Sequence, residues 1–193
     1  MRFTNRNTWE NIEKGRKMEL ENLEFGKIKL RPLEPEDLEM LYTWENDPLI
    51  WEVSNTLVPF SKYMLEQYIL DAQQDIYTTK QFRLIIETSE GDAVGAIDLF
   101  GFDPLNQRAG IGILIHQPGE RRKGYATDAL LLMCTYAENV LGLHQLFANI
   151  TAGNEASLAL FQKCGFTLSG CKQDWVKSGK TWKDEFIFQK IFA

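Results

Sequence analysis

The nine residues from Gly119 to Thr127 constrain the fold of this chain more than any other stretch. They follow the apolar run Ile111 to Ile115, which has the length and β-branched character of a buried strand. After them, apolar residues recur at helical spacing, at Ala129, Leu130, Met133, Cys134, Ala137, Val140 and Leu141. The stretch is therefore predicted to be a tight connection from a buried strand into a helix, as found in α/β folds.

This connection has the chemistry of an anion site. The first N–H groups of a helix have no internal acceptor, and the helix dipole is positive there. Gly124 and Ala126 are small enough for an anion to approach the backbone, and Arg121, Arg122 and Lys123 add positive charge. The two common phosphate motifs, G-x-x-x-x-G-K-[ST] and G-x-G-x-x-G, are absent from the sequence. Taken alone, the loop is either a phosphate site or a basic turn that caps a helix.

Composition limits the remaining possibilities. A chain of 193 residues with no change in composition indicates one domain. The cysteines Cys134, Cys164 and Cys171 form no C-x-x-C pair, and with only His116 and His144 available we predict no metal site and reduced thiols. A net charge of −6 argues against a nucleic-acid surface, and no apolar run is long enough to span a membrane. We therefore expect a cytoplasmic protein.

Periodicity and turn signals give the order of elements. Helices are predicted to begin at Pro35 and Ser61, and Asn154 is predicted to cap a helix that ends at Gly165. The predicted strands are residues 28–31, 82–88, 93–100, 110–116, 144–151, 166–176 and 182–192. The order β-α-α-β-β-β-α-β-α-β-β predicts an α/β domain with a mixed, mostly antiparallel sheet of about seven strands and about four helices.

Several segments resemble the GNAT superfamily of acetyl-CoA-dependent N-acetyltransferases. Arg121-x-x-Gly124-x-Ala126 resembles the Q/R-x-x-G-x-G/A pyrophosphate loop of that family. Residues 154–157 (N-E-A-S) and 160–166 (L-F-Q-K-C-G-F) resemble its N-x-x-A/S helix with the L-Y-x-K-x-G-F ending, and residues 30–33, 94–97 and 111–113 resemble three of its strands. The resemblance covers about residues 27 to 192 and implies an N-terminal extension, residues 1–26, before a GNAT domain, residues 27–193.

The resemblance also implies how acetyl-CoA binds. The pyrophosphate would be held mainly by backbone N–H groups of the loop, in Arg121, Arg122, Lys123, Gly124, Tyr125, Ala126 and Thr127. The pantetheine arm would pair with Ile113, Leu114 and Ile115 as an added strand, and N–H groups there would polarise the thioester carbonyl. Asn154 would contact the pantetheine, or only cap its helix, and Phe161 would pack beside the arm.

Phe161 departs from the family pattern. Many members have a tyrosine in this segment that protonates the departing coenzyme A, and a phenyl ring cannot donate a proton. Water or another side chain performs this step, or the reaction is slow.

The sequence says less about the amine that accepts the acetyl group than about acetyl-CoA. Between Glu34 and Asp75 the sequence has ten carboxylates and one cation, Lys62, which favours a polycationic acceptor. Residues 44–48 and 51–52 resemble both spermidine/spermine acetyltransferases and enzymes that acetylate ribosomal-protein N-termini. Glu45, Glu52 and Asp98 are candidates for amine contact or general base.

Three functions follow from these patterns. The first is acetylation of a primary amine, such as that of spermidine or spermine, by direct attack in a ternary complex. The second is protein N-terminal acetylation, which needs an open groove for a peptide. The third is a coenzyme A-binding regulatory protein that is impaired in catalysis. The acceptor would be a small molecule or a peptide, the protein is expected to form a homo-oligomer, and a cysteine hydrolase built on Cys134 or Cys164 ranks last.

Overall fold

The computed structural model describes residues 18–19, 21–54 and 56–192. In this part of the chain nine strands form one sheet, in the order β1-β2-β3-β4-β5-β6-β7-β9-β8. The strands are β1 Met18–Glu19, β2 Glu24–Phe25, β3 Ile28–Pro32, β4 Gln81–Thr88, β5 Ala93–Asp103, β6 Arg108–Ile115, β7 Gln145–Thr151, β8 Thr167–Ser178 and β9 Thr181–Ile191.

All neighbouring strands are antiparallel except β6 and β7, which run parallel. These two strands pair over only three positions, from Arg108 opposite Gln145 to Gly110 opposite Phe147. Beyond Gly110 they separate, so the sheet is split at its centre. Each half is held by its own antiparallel ladder, which allows the split to persist.

Helices cover the sheet on both faces. The described α-helices are α1 Leu38–Glu45, α2 Pro48–Ser54, α3 Lys62–Asp71, α4 Ile76–Thr79, α5 Tyr125–Asn139 and α6 Glu155–Lys163. A 3₁₀ turn, Pro35–Asp37, stands where the first helix was predicted to begin, and a second, Pro118–Glu120, follows β6. On one face, α1 and α3 bury Leu41, Trp44, Leu65 and Ile69 against Ile85 and Ala96. On the other face, α5 and α6 pack in the larger core. No helix in the described ranges is long and apolar enough to cross a membrane.

The predicted order of the main elements is confirmed, including the mixed, mostly antiparallel sheet. The side chain of Ser61 accepts a hydrogen bond from the Met64 N–H, as expected of the cap of α3. Val140, which was predicted on the inner side of α5, is instead 54% exposed because that helix ends at Asn139.

The structure adds β1, β2, α2 and α4 to the predicted elements. Because β2 pairs with β3 and Phe25 is buried, the sheet begins before residue 27. Most of the predicted extension, residues 1–17 and 20, lies outside the described residues.

Candidate active site

The split gives β6 one free edge. The N–H of His116 donates to the carbonyl of Val94 on the β5 side. Backbone groups of successive residues in a strand point alternately to the two sides. The N–H groups of Ile113 and Ile115 therefore point away from β5, toward the gap left by β7. An extended ligand could pair with them as a strand would.

A cleft of about 860 Å³ occupies this gap. Its floor is β6 and the end of β7, and its walls are α6, the hairpin of β8 and β9, and the residues Trp51, Thr56 and Leu57. Several residues already considered from sequence line it, namely Ile113, Asn154 and Phe161. The split strands thus produce a cavity of the size that small-molecule sites usually have.

The loop after β6 has a backbone suited to an anion. Gly124 is the N-cap of α5 at φ 97°, and no side chain caps this helix. Arg122 also has a positive φ, of 65°. Consecutive turns of this kind direct several N–H groups into one concave surface. The geometry fits a phosphate group, and the residues present would hold it through backbone groups.

The basic side chains of the loop have different roles. Arg121 donates from Nε to the carbonyl oxygen of Ile115 at 3.1 Å, so it joins the loop to the end of β6. Lys123 forms an ion pair with Glu120, with 2.7 Å between Nζ and Oε1. Arg122 is exposed. Arg122 therefore adds a positive field beside the N–H groups, whereas the charge of Lys123 is offset by Glu120.

The start of α5 also contacts α6. Tyr125 and Ala126 are half-buried against the larger core. Thr127 is buried, and its hydroxyl accepts a hydrogen bond from Lys163 at 3.4 Å. Leu114, in β6, is half-buried, and its backbone N–H and carbonyl point toward β5. These contacts hold the loop in a fixed position relative to the cleft.

Helix α6 presents its first turns to the cleft. Asn154 caps it, because its Oδ1 accepts from the Ser157 N–H at 3.2 Å, and Asn154 also lines the cleft. Capping and ligand contact are therefore compatible. Phe161 is 4% exposed and meets Phe166 edge to face at 5.0 Å. Phe161 is a core aromatic whose ring borders the cleft, as expected.

The carboxylates proposed for the amine are held by an arginine. The Arg83 guanidinium donates to Glu45 at 2.7 Å and to Asp98 at 2.5 and 3.3 Å. Burial alone would lower the pKa of Arg83, but the charge of Asp98, the hydrogen bond to it and the charge of Glu45 raise it above its ordinary value. The structure thus brings Glu45 and Asp98 together in a cluster with a net charge of −1. Glu52 lies in α2, and its side chain is outside the described part.

Asp98 also lies close to the split. It is opposite Gly112 in the β5–β6 ladder. Gly112 is two residues beyond Gly110, the last residue of β6 that pairs with β7. A Cβ added at Gly112 would meet only Phe100, at 3.9 Å, so there is open space beside Asp98.

A histidine that was considered from the sequence only as a possible metal ligand lies near the ion cluster. His116 stacks on Trp44 with 4.1 Å between ring centroids, and burial, with the charge of Arg83, lowers its pKa to about 4. The imidazole is therefore neutral at physiological pH. In the sequence, its position just after β6 was the only sign that it lies near the site.

The hairpin contributes charges to the cleft. Glu185 lines it but is paired with Lys172 at 2.6 Å. Lys177 and Lys183 also line it, and no ion pair with either is found among the described residues. The cleft wall on this side is therefore not acidic.

Comparisons with known proteins identify the family and the fold. A sequence profile described as an acetyltransferase (GNAT) domain matches residues 27–167. The chain is 28% identical over 146 residues to spermidine N(1)-acetyltransferase of Escherichia coli K12, covering 74% of each chain. It is 40% identical over 80 residues to human alpha/beta-tubulin-N-acetyltransferase 9, covering 41% of this chain and 39% of that one. The solved structure of spermidine N-acetyltransferase from Vibrio cholerae in complex with CoA and spermine has a TM-score of 0.77 and 21% identity, covering 86% of this chain and 95% of that one.

Proposed function

Because this chain belongs to the GNAT acetyltransferase family, we propose that it transfers the acetyl group of acetyl-CoA to a primary amine by direct attack in a ternary complex. The observation that carries this proposal is the free edge of β6, which leads directly into the loop at Gly124. One end of an extended ligand can pair with the edge while its phosphates reach the start of α5. Pantetheine and pyrophosphate are joined in this order in coenzyme A.

Backbone N–H groups make most of the contacts with acetyl-CoA in this arrangement. N–H groups from Arg122 to Thr127 hold the pyrophosphate, since that of Arg121 donates to the carbonyl of Pro118, and those of Ile113 and Ile115 pair with the pantetheine arm. An N–H on the same edge stabilises the oxyanion that forms when nitrogen attacks the thioester. Asn154 contacts the arm while it caps α6, and Phe161 packs beside it.

The amine must lose a proton before it attacks. The pKa of an alkylammonium is about 10.4, so most of it is protonated at neutral pH. We assign the cluster of Glu45, Arg83 and Asp98 to this side of the site, since Asp98 lies beside Gly112 and the net charge attracts a cation. Asp98, Glu45 or Glu52 then contacts the ammonium or accepts its proton, directly or through water.

A polyamine is the first candidate acceptor. The carboxylates of residues 34–75 and the similarity to a spermidine acetyltransferase support it. A protein N-terminal amine is the second, supported by Lys177 and Lys183 in the cleft wall, which would repel a polycation, and by the similarity to a tubulin acetyltransferase. A homo-oligomer and a cytoplasmic location stay predictions.

An acceptor screen tests the proposal. Release of the coenzyme A thiol from acetyl-CoA is measured with spermidine, spermine and peptides that have free N-termini. Turnover of polyamines alone supports the first candidate, and turnover of peptides alone supports the second. The double substitution Arg122→Glu and Lys123→Glu should weaken binding of acetyl-CoA, and the weakening should diminish at high salt. Calorimetric binding of acetyl-CoA without thiol release for any amine would leave the third function, a regulatory coenzyme A-binding protein.

A further inference from the structure

The departing thiolate needs a proton donor that Phe161 cannot supply. The free thiol has a pKa of about 8.5, so in water the thiolate can leave unassisted, but a cleft lined by the sheet gives it fewer water partners. No tyrosine, cysteine or histidine is among the described residues that line the cleft. The donor must be sought among the hydroxyl groups and lysines there.

Ser157 is placed where a donor would be needed. It lies four residues before Phe161 on α6, so the two side chains share one face of the helix, and both line the cleft. A long side chain on a helix leans toward the N-terminus and covers the preceding turn. The far end of an aromatic ring at position 161 therefore extends toward the turn that carries Ser157.

The hydrogen bonding of Ser157 leaves its hydroxyl available. Its backbone N–H is occupied by Oδ1 of Asn154 at 3.2 Å. Within the described ranges, the Ser157 hydroxyl has no hydrogen-bond partner. The other hydroxyls that line the cleft are on Thr56, Thr151 and Ser178, outside α6.

We propose that the Ser157 hydroxyl donates to the coenzyme A sulfur and relays the proton that the amine releases. Nitrogen forms its bond to the carbonyl carbon, the C–S bond breaks, and its electron pair leaves on sulfur. The Ser157 proton passes to that sulfur, while Oγ takes a proton from the attacking nitrogen, directly or through one water. The products are the amide and the free thiol, and the serine is restored. This inference rests on the proposed function.

The test is Ser157→Ala, assayed with an amine that the wild-type protein acetylates. We expect kcat to fall roughly a hundredfold, the lower end for a positioned proton donor, with the KM values for acetyl-CoA and amine unchanged. The substitution keeps the N–H that Asn154 caps, and alanine is a better helix former than serine, so the protein should fold. Ser169→Ala, which removes an exposed serine of β8 that does not line the cleft, is the control and should keep wild-type kcat.

A rescue separates proton donation from a packing role. Phe161→Tyr, introduced into the Ser157→Ala protein, should restore most of the lost kcat because it returns a hydroxyl to the same region. A Ser157→Ala protein with kcat within twofold of wild type, or with a loss confined to acetyl-CoA binding, overturns the inference and leaves the proposed function intact. Absence of turnover by the wild-type protein with every amine overturns both.

Discussion

Replacing Gly124 with alanine should weaken the binding of acetyl-CoA with little change in the rest of the protein. Gly124 has a φ of 97°, and an added Cβ would meet no atom within 4 Å. The cost of the substitution is therefore backbone strain and not a clash. A residue other than glycine held in such a conformation costs about 1–3 kcal/mol. The free loop can relax to avoid this strain, but the anion-binding loop cannot, so affinity should fall roughly fivefold to a hundredfold.

The measurement is calorimetric titration with coenzyme A, together with the free energy of unfolding in urea. Gly119→Ala is the matched control, because Gly119 is in the same loop, its Cβ would also meet nothing within 4 Å, and its φ is not positive. That variant should bind coenzyme A as the wild type does. The reasoning is refuted if Gly124→Ala keeps both its affinity within twofold and its unfolding free energy.

Three further results should follow from the structure. Arg83→Ala leaves two partly buried carboxylates, Glu45 and Asp98, without a counter-charge, so urea unfolding should show a loss of about 3–5 kcal/mol; Arg83→Lys should recover only part of it, because lysine lacks the planar fork. The pKa of His116 is about 4 in the folded protein, below its unfolded value of about 6.5. Between these two pH values the unfolded chain binds more protons than the folded protein, so the free energy of unfolding should decrease as pH falls from about 6.5 toward 4. His116→Phe should flatten that part of the profile of urea midpoints against pH, and an unchanged slope would contradict the assignment. Gly112→Val should raise the KM for the amine without changing that for acetyl-CoA, and unchanged steady-state kinetics would show that the acceptor lies elsewhere.

The parts of the fold that were predictable have local causes. The cap at Asn154 and the end of α6 at Gly165, where φ is 80°, each depend on a few neighbouring residues. The separation of β6 from β7 after Gly110 depends on how two distant halves of the sheet twist, and no residue pattern encodes it.

The ion cluster shows the same limit at the site. Arg83 joins Glu45, 38 residues before it, to Asp98, 15 residues after it. The sequence pointed to Glu45 and Asp98 as candidates, but it did not point to Arg83, whose positive charge neutralises half of their combined negative charge. The proposed donor site depends on neighbouring residues and can be proposed from sequence, whereas the proposed acceptor site is assembled across the sheet.

In the proposed function the two substrates would approach β6 from different directions and meet at Gly112. In the proposed arrangement pantetheine would lie along the edge of the strand, beside the N–H groups of Ile113 and Ile115, and would not need the space above the face of the strand. Ala96 packs under α1 and α3, and Asp98, two residues later in β5, points to the same face of the sheet. Gly112 is opposite Asp98, so the space above Gly112 is on that face. Gly112 has no side chain to fill that space beside Asp98. A nitrogen held there is adjacent to the edge that presents the thioester, so one strand can align both reactants without a dedicated nucleophile from the protein.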